Sequence, residues 1–324
     1  MITRRALVIA LGASALGASV IARAQTAAPS HRLIGILMSI DVVTFPAFFD
    51  EMRKLGYEDG KNAKFMIRSA KSDYGRLPAL AGELVDARPD VIVAVNTPGA
   101  RAAIDATKTI PIVMSSVGDP IGSGFVTNLA RPGGNVTGIS NMVGELAPKR
   151  LALFHELVPG AKRIAVMYNP ADPVNDPQMR DVKFSAPKLG LDARLFSVKT
   201  PANLPEVFGQ ILSWRAQGII WLPGQSAAYE PATIALAARH RLPVMVGNQT
   251  MVESGGLLSY SADPIDILRR TAAYVDKILK GAQTGQLPVE QPTQFDLVIN
   301  LKTAKALGIK VPQSMLLQAR KVIE

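Results

Sequence analysis

Short apolar runs alternate with amphipathic stretches along nearly the whole chain after residue 31. Val91–Val95 and Ile112–Ser115 contain no charged residue, which is typical of parallel strands that are buried on both faces. The stretches between such runs have the spacing and length of helices, for example Leu77–Ala87 before Pro89. The alternation therefore predicts an α/β fold with parallel sheets.

The alternation occurs in two series of similar length. The predicted strands of the first series are Leu33–Ser39, Asn62–Arg68, Val91–Val95 and Ile112–Ser115, and those of the second are Arg163–Tyr168, Ala193–Val198, Gly218–Leu222 and Val244–Val246. Residues 116–138 between the series are rich in Gly, Pro and Asn, which predicts a loop. We expect two Rossmann-like lobes joined by a hinge. The first comprises residues 31–140 and 261–285, and the second comprises residues 141–260 and 286–324.

The first 24 residues have the pattern of a secretory signal peptide. Arg4 and Arg5 precede a short apolar stretch, Ala6–Ile21, and the small residues of Ala22–Ala24 fit a cleavage site. We expect cleavage after Ala24 and a periplasmic location, by the general or the twin-arginine export route. The alternative is an uncleaved anchor, which sixteen apolar residues rich in Ala and Gly would barely supply for a bilayer core of about 30 Å.

Composition excludes several other classes of protein. The chain has 324 residues, 48% of them apolar, and carries 36 basic against 26 acidic residues, so it is neither disordered nor strongly polar. It contains no cysteine, which excludes disulfide scaffolds, thiolate zinc sites and a cysteine nucleophile. Its basic residues are scattered among acids with few aromatics between them, so no nucleic-acid partner is predicted.

Motifs for cofactors and catalysis are missing. The three histidines, His31, His155 and His240, are far apart in sequence, so no metal site is predicted. No P-loop, no GxSxG and no GxGxxG after the first strand is present, so we expect no cofactor.

Small polar residues follow several predicted strands, and ligands of open parallel sheets bind beyond those carboxyl ends. The candidate ligand-binding residues are Ser39, Thr97, Ser116, Asp119, Asn169, Gln225, Asn248 and, as an apolar wall, Tyr260. Hydroxyls and free backbone N–H groups at such junctions can hold a carboxylate. Asp119 or Glu230 can pair with an ammonium group. The alternative for each polar residue is a helix cap or a turn.

Several longer stretches resemble one family. They include LGYEDGKN (55–62), GDPIGSGFVTNLARPGGNVTGIS (118–140), ELAPKRLALFHELVPGAKRIAVMYNP (145–170), GGLLSY (255–260) and PTQFDLVINLKTAKALGI (292–309). The chain thereby resembles the substrate-binding proteins of ABC transporters with the type I periplasmic-binding fold, a family with tryptophan- and tyrosine-binding members.

This resemblance implies an exported receptor that is not an enzyme and that closes two lobes around a small solute. It implies a monomer that binds a carboxylate-bearing solute, an amino acid and in some members an aromatic one, and delivers it to a membrane permease. Thr97 and Ser116 match the positions that hold the carboxylate in relatives. Two alternatives remain open at this point: a sensor for a membrane signalling partner, and an exported enzyme that uses carboxylates such as Asp119 and Glu230.

Overall fold

The computed structural model describes residues 31–170, 172, 174–224 and 229–324. The predicted signal segment, 1–24, lies outside these residues. The strands are β1 (Arg32–Met38), β2 (Ala63–Ser69), β3 (Val91–Val95), β4 (Ile112–Val117), β5 (Val136–Ser140), β6 (Arg163–Tyr168), β7 (Asp192–Ser197), β8 (Gly218–Trp221), β9 (Val244–Val246), β10 (Leu258–Ala262), β11 (Val289–Glu290), β12 (Phe295–Asn300) and β13 (Lys321–Ile323). The helices are α1 (Pro46–Lys54), α2 (Leu77–Asp86), α3 (Asn96–Ala106), α4 (Ala147–Leu157), α5 (Asn175–Ser185), α6 (Leu204–Ser213), α7 (Glu230–Arg239), α8 (Gln249–Glu253), α9 (Pro264–Leu279), α10 (Leu301–Leu307) and α11 (Gln313–Gln318).

The first sheet has the order β11-β5-β4-β3-β1-β2, and all its pairs are parallel. Helices α1 and α9 pack on one face, and α2 and α3 pack on the other. Every residue of β3 is buried because β3 lies inside the sheet with helices on both faces. This lobe confirms the prediction of a parallel sheet covered by helices.

The second sheet has the order β13-β12-β10-β9-β8-β6-β7 and is mixed rather than purely parallel. The pair β10–β12 is antiparallel, and the other pairs of this sheet are parallel as predicted. The chain leaves this lobe at the end of β10 and returns at the start of β12, so both strand ends lie at the same edge of the sheet. Because the chain re-enters the sheet at the edge where it left, β12 runs opposite to β10, and no crossover within this lobe is needed.

Three segments connect the lobes: residues 141–146, the single residue Asp263 and residues 291–294. The last two positions differ from the predicted lobe boundaries. β10 carries the second lobe to Ala262, and β11 pairs with β5, so the first lobe extends to Glu290 rather than to residue 285. Such short connections allow two lobes to rotate against each other as rigid bodies.

Two elements near the connections differ from the sequence-based expectation. Strand β5 begins inside the predicted loop 116–138 and ends beyond it. The sequence does not predict this strand because Gly138 (φ 137°) interrupts its apolar pattern. A Cβ at Gly138 would overlap the backbone of Met114 on β4, so only glycine fits this position. The sequence pattern predicts a helix over Met179–Leu189, but α5 begins at Asn175, because Pro177 lies in its first turn, where proline is tolerated.

Candidate functional site

Hydroxyl and amide side chains from three strand ends of the first lobe lie together at the edge that faces the second lobe. Ser39 follows β1 and is fully buried, and its Oγ accepts a hydrogen bond from Asn96 Nδ2 at 3.3 Å. Thr97 Oγ1 accepts one from the Gly118 N–H at 3.2 Å. Ser116 Oγ accepts one from Asn141 Nδ2 at 3.0 Å.

The backbone at two of these strand ends is in the left-handed region. Asn96 and Ser116 both have φ of 63°. Asparagine tolerates this conformation, but for serine it is uncommon and costs on the order of 1 kcal/mol. Such strain is concentrated at functional sites, and Asn141 from the first connection holds both the carbonyl and the hydroxyl of Ser116. The strained turn is therefore fixed in place by a residue that belongs to the hinge.

An inner chamber of about 220 Å³ lies between the lobes. Ser39, Thr97 and Ser116 form part of its wall on the first lobe, and Asn248 forms part of the wall on the second. Asn248 also caps α8, since its side chain accepts a hydrogen bond from the Met251 N–H at 3.1 Å.

The second lobe supplies the charged groups of this chamber, Arg150 and Asp172. Arg150 on α4 is 1% exposed, and burial lowers the pKa of its guanidinium to about 9. Its Nε donates to the Tyr260 carbonyl at 3.0 Å, and its Nη1 donates to the Val143 carbonyl at 3.2 Å and to Gln178 Oε1 at 3.4 Å. Nη2 is buried and has no hydrogen-bond partner among the described residues.

Asp172 follows β6 and is 2% exposed. Its Oδ1 accepts a hydrogen bond from the Val174 N–H at 3.1 Å, which closes the turn that leads into α5. The buried carboxylate thus lies on the wall of the same chamber as the buried guanidinium.

An outer chamber of about 480 Å³ continues from the inner one, and Thr97, Pro98 and Val174 border both. Tyr74, Leu77 and Phe125 of the first lobe and Pro177 and Arg180 of α5 contribute to its wall. Burial raises the pKa of Tyr74, and the charges of Asp172 and Tyr229 on the second lobe raise it further.

The lobes touch between the two chambers. A Cβ at Gly118 would overlap the side chain of Val174, and Val143 Cγ1 lies 2.8 Å from the same point. The absence of a side chain at Gly118 therefore allows the second lobe to approach the first.

Of the predicted ligand-binding residues, Ser39, Thr97, Ser116 and Asn248 line the inner chamber, and Asp119 lines the outer one. Gln225, like the side chain of Glu230, lies outside the described part of the chain.

Asn169 and Tyr260 are on the wall of neither chamber. The Asn169 carbonyl accepts hydrogen bonds from the Asp172 N–H at 3.1 Å and from Asn175 Nδ2 at 3.0 Å, so it shapes the loop that carries Asp172. The Tyr260 ring packs against Phe295, with 5.7 Å between the ring centroids.

Sequence reasoning missed Arg150 and Asp172. Arg150 shares a helix face with the buried Ala147, Leu151 and Phe154, and a basic residue at an apolar position of a helix is a usable signal. Asp172 lies in a proline-rich loop, where no periodicity distinguishes it from a surface residue.

A family model described as "ABC transporter substrate binding protein" matches residues 43–323. The chain belongs to the ABC transporter substrate-binding protein family. Members of this family bind and present substrates and are not enzymes, and the two α/β lobes are the type I periplasmic-binding fold. No helix in the described part of the chain is long and apolar enough to cross a membrane.

The names of two relatives of this substrate-binding protein state an amino-acid ligand. It is 28% identical over 265 residues to a tyrosine-binding protein of Clostridioides difficile, covering 81% of this chain and 76% of the relative. It is 28% identical to a domain from Streptococcus pneumoniae in complex with L-Trp, with a TM-score of 0.83 over 91% of this chain and all of that one.

A third relative is the ligand-free, open structure of a substrate-binding protein with adhesive properties from Clostridium difficile. It is 27% identical, with a TM-score of 0.66 over 90% of this chain and 99% of that one. The chain superposes better on the L-Trp complex than on the open structure, although the two sequence identities are nearly equal. This difference agrees with the contact between the two lobes at Gly118.

Proposed function

We propose that this protein is exported, binds an amino acid in the inner chamber as a monomer, and delivers it to the membrane permease of an ABC importer. The observation that carries the binding proposal is the hydrogen bonding of three hydroxyl groups in the inner chamber. Ser39 and Thr97 accept hydrogen bonds from within the first lobe, Ser116 accepts one from Asn141 of the first connection, and none of the three donates to another described residue. Their hydrogens are thus free to hold a carboxylate, as a serine or threonine hydroxyl donates one hydrogen bond.

Two features of the cleft support an amino acid over a neutral solute. Asp172 supplies a buried carboxylate on the opposite wall of the inner chamber, which suits an ammonium group better than Asp119 does in the outer chamber. The outer chamber then receives the side chain, and Tyr74, Leu77 and Phe125 give it an aromatic and apolar wall. An aromatic amino acid fits this wall, in keeping with the ligands named for two relatives.

The test is a thermal-shift screen of protein that has been unfolded and refolded to remove bound solute, against the twenty L-amino acids. A ligand at about 100 times its dissociation constant adds about 2.7 kcal/mol to the free energy of unfolding. For a chain of this size we expect this to raise the Tm by several degrees. A protein that no amino acid stabilises would contradict the proposed ligand class.

The hydroxyl variants locate the site. Thr97→Ala and Ser116→Ala each remove one donor to the carboxylate, and we expect each to weaken amino-acid binding about 5- to 10-fold by calorimetry. Ser254→Ala, which removes an exposed hydroxyl after α8, is the matched control and should bind like the wild type. Unchanged affinity in both chamber variants would remove these hydroxyls from the site.

Delivery is tested in cells. Deletion of the gene should abolish high-affinity uptake of the same amino acid. Normal uptake in the deletion strain would argue for a sensor instead of an import receptor.

A further inference from the structure

The Arg150 guanidinium is buried without a counter-ion. Its hydrogen-bond partners are two backbone carbonyls and one side-chain amide, and it forms no ion pair with any described carboxylate. A buried charge is costly unless it is paired, and most buried arginines are paired with a carboxylate for that reason. An unpaired cation in the wall of a ligand chamber is therefore a candidate ligand-binding group.

The hydrogen bonds of Arg150 fix the orientation of the guanidinium fork. Nε is held by the Tyr260 carbonyl on β10, two residues before β10 ends at the second connection. Nη1 is held by the Val143 carbonyl in the first connection and by Gln178. These bonds fix the plane of the group and leave Nη2, which has no described partner, as the remaining donor.

We propose that Arg150 is the carboxylate anchor of the inner chamber, and that the solute supplies the counter-ion that the described residues do not. This inference rests on the proposed function, because it concerns the same chamber, and it names the group that selects for a carboxylate. Hydroxyls from the first lobe and Nη2 from the second lobe then hold the same carboxylate, so the anion links the two lobes. Arg150 contacts Val143 in the first connection and Tyr260 on β10, which leads to the second connection, so binding acts close to where the lobes are joined.

The alternative is that Arg150 only holds the first connection against β10. A purely structural arginine would affect all ligands alike, whereas an anchor affects only ligands that carry a carboxylate. The test therefore compares each bound acid with its carboxamide, for example L-tryptophan with L-tryptophanamide and L-tyrosine with L-tyrosinamide. The panel also contains indole-3-acetate and 3-phenylpropionate, which have a carboxylate but no amino group.

For the wild type we expect the acid to bind about 100-fold more tightly than its carboxamide, since a buried charge pair is lost in the amide. In Arg150→Gln this ratio should fall below about 5. Lys149→Gln is the control, because it removes the same charge from the exposed neighbouring position of α4 and should keep the full ratio. A ratio that survives in a folded Arg150→Gln variant would overturn the anchor and leave Arg150 structural.

Arg150→Lys is made in parallel in case the glutamine variant does not fold. It keeps the charge but loses the fork, and we expect it to retain a preference for the acid that is weaker than that of the wild type. Should neither variant fold, arginine side-chain NMR of the wild type decides. A buried guanidinium resonance should shift with the acid and not with the amide, and no such shift would overturn the proposal.

The outcomes separate this inference from the proposed function. If only acids without an amino group bind, the amino-acid proposal fails. The ratio of acid to carboxamide affinity then still tests whether Arg150 is the carboxylate anchor. If amino acids bind and the ratio survives in Arg150→Gln, the amino-acid proposal stands and the anchor fails. If no carboxylate-bearing compound of the panel binds, both are overturned.

Discussion

The two walls of the inner chamber are built from different kinds of residue. The first lobe contributes neutral groups, Ser39, Thr97 and Ser116, which lie at strand ends and accept hydrogen bonds from neighbouring loops or from the first connection. The second lobe contributes Arg150 from a helix and Asp172 from a loop, both buried and charged. One wall is thus a preorganised set of weak donors, and the other carries the full charges.

This difference indicates how the work of binding is divided. Neutral hydrogen bonds contribute about 0.5–1.5 kcal/mol each, whereas breaking a buried charge pair costs about 3–5 kcal/mol. The charged wall should therefore decide which class of solute binds, and the neutral wall should adjust the affinity within that class. Substitutions that alter one wall at a time test this division.

Asp172→Asn should have the largest effect among the further variants. Asparagine keeps an acceptor for the Val174 N–H but removes the negative charge, so we expect amino acids to bind about 100-fold more weakly. Carboxylates without an amino group should bind as before, as measured by calorimetry with indole-3-acetate. Asp192→Asn, an exposed position at the start of β7, is the matched control. An equal loss for both ligand types would show that Asp172 supports the loop rather than the ammonium.

Gly118→Ala tests whether the two walls must meet. The new Cβ would overlap Val174, and overpacking of this kind typically costs about 1–3 kcal/mol, so we expect affinity to fall about 10-fold. Gly118 does not have a positive φ, so alanine should fold normally there.

The second substitution, Val174→Ala in the Gly118→Ala background, removes the closer overlap and leaves only Val143 Cγ1 at 2.8 Å, so it should restore most of the binding. Small-angle scattering should show a smaller solute-induced decrease in radius of gyration for Gly118→Ala than for the double variant. Lost affinity that Val174→Ala does not recover would mean that Gly118 acts within its own loop.

The neutral wall was predictable from sequence because it follows a local rule. Strands such as β3, β6 and β9 are apolar throughout or nearly so, and their predicted bounds agree with the structure to the residue. Once strands are placed, the residues after them lie at one edge of the sheet, which is how Thr97 and Ser116 were found.

The charged wall was not predictable in this way because long-range packing creates it. Arg150 reaches the chamber only because α4 packs beside the first connection and β10. The sequence pattern predicts a strand at 293–300, but not the antiparallel direction of β12, which depends on where the chain crosses back between the lobes. Local periodicity contains no information on either arrangement.

Asp119→Asn should have the smallest effect, because it acts at the rim of the cleft. Burial raises the pKa of Glu145, and the charges of Asp119 on the first lobe and Asp181 on the second raise it further. A carboxyl whose pKa is raised in this arrangement binds its proton more tightly with the lobes in contact than with the lobes apart. Contact between the lobes is therefore favoured as pH falls. This stabilisation of the closed arrangement is lost as pH rises through the raised pKa of Glu145.

We accordingly expect wild-type affinity for the amino acid to increase modestly between pH 7 and pH 5, where the carboxylate and ammonium of the solute keep their charges. Asp119→Asn removes one of the repelling charges and keeps an acceptor for the Gly122 N–H, so affinity at pH 7 should rise about 2-fold and its pH dependence should flatten. Asp105→Asn in the same chamber is the control, because Asp105 does not act on Glu145. An unchanged pH profile in Asp119→Asn would show that the two walls meet without electrostatic opposition at the rim, and that the charges relevant to binding all lie on the second lobe.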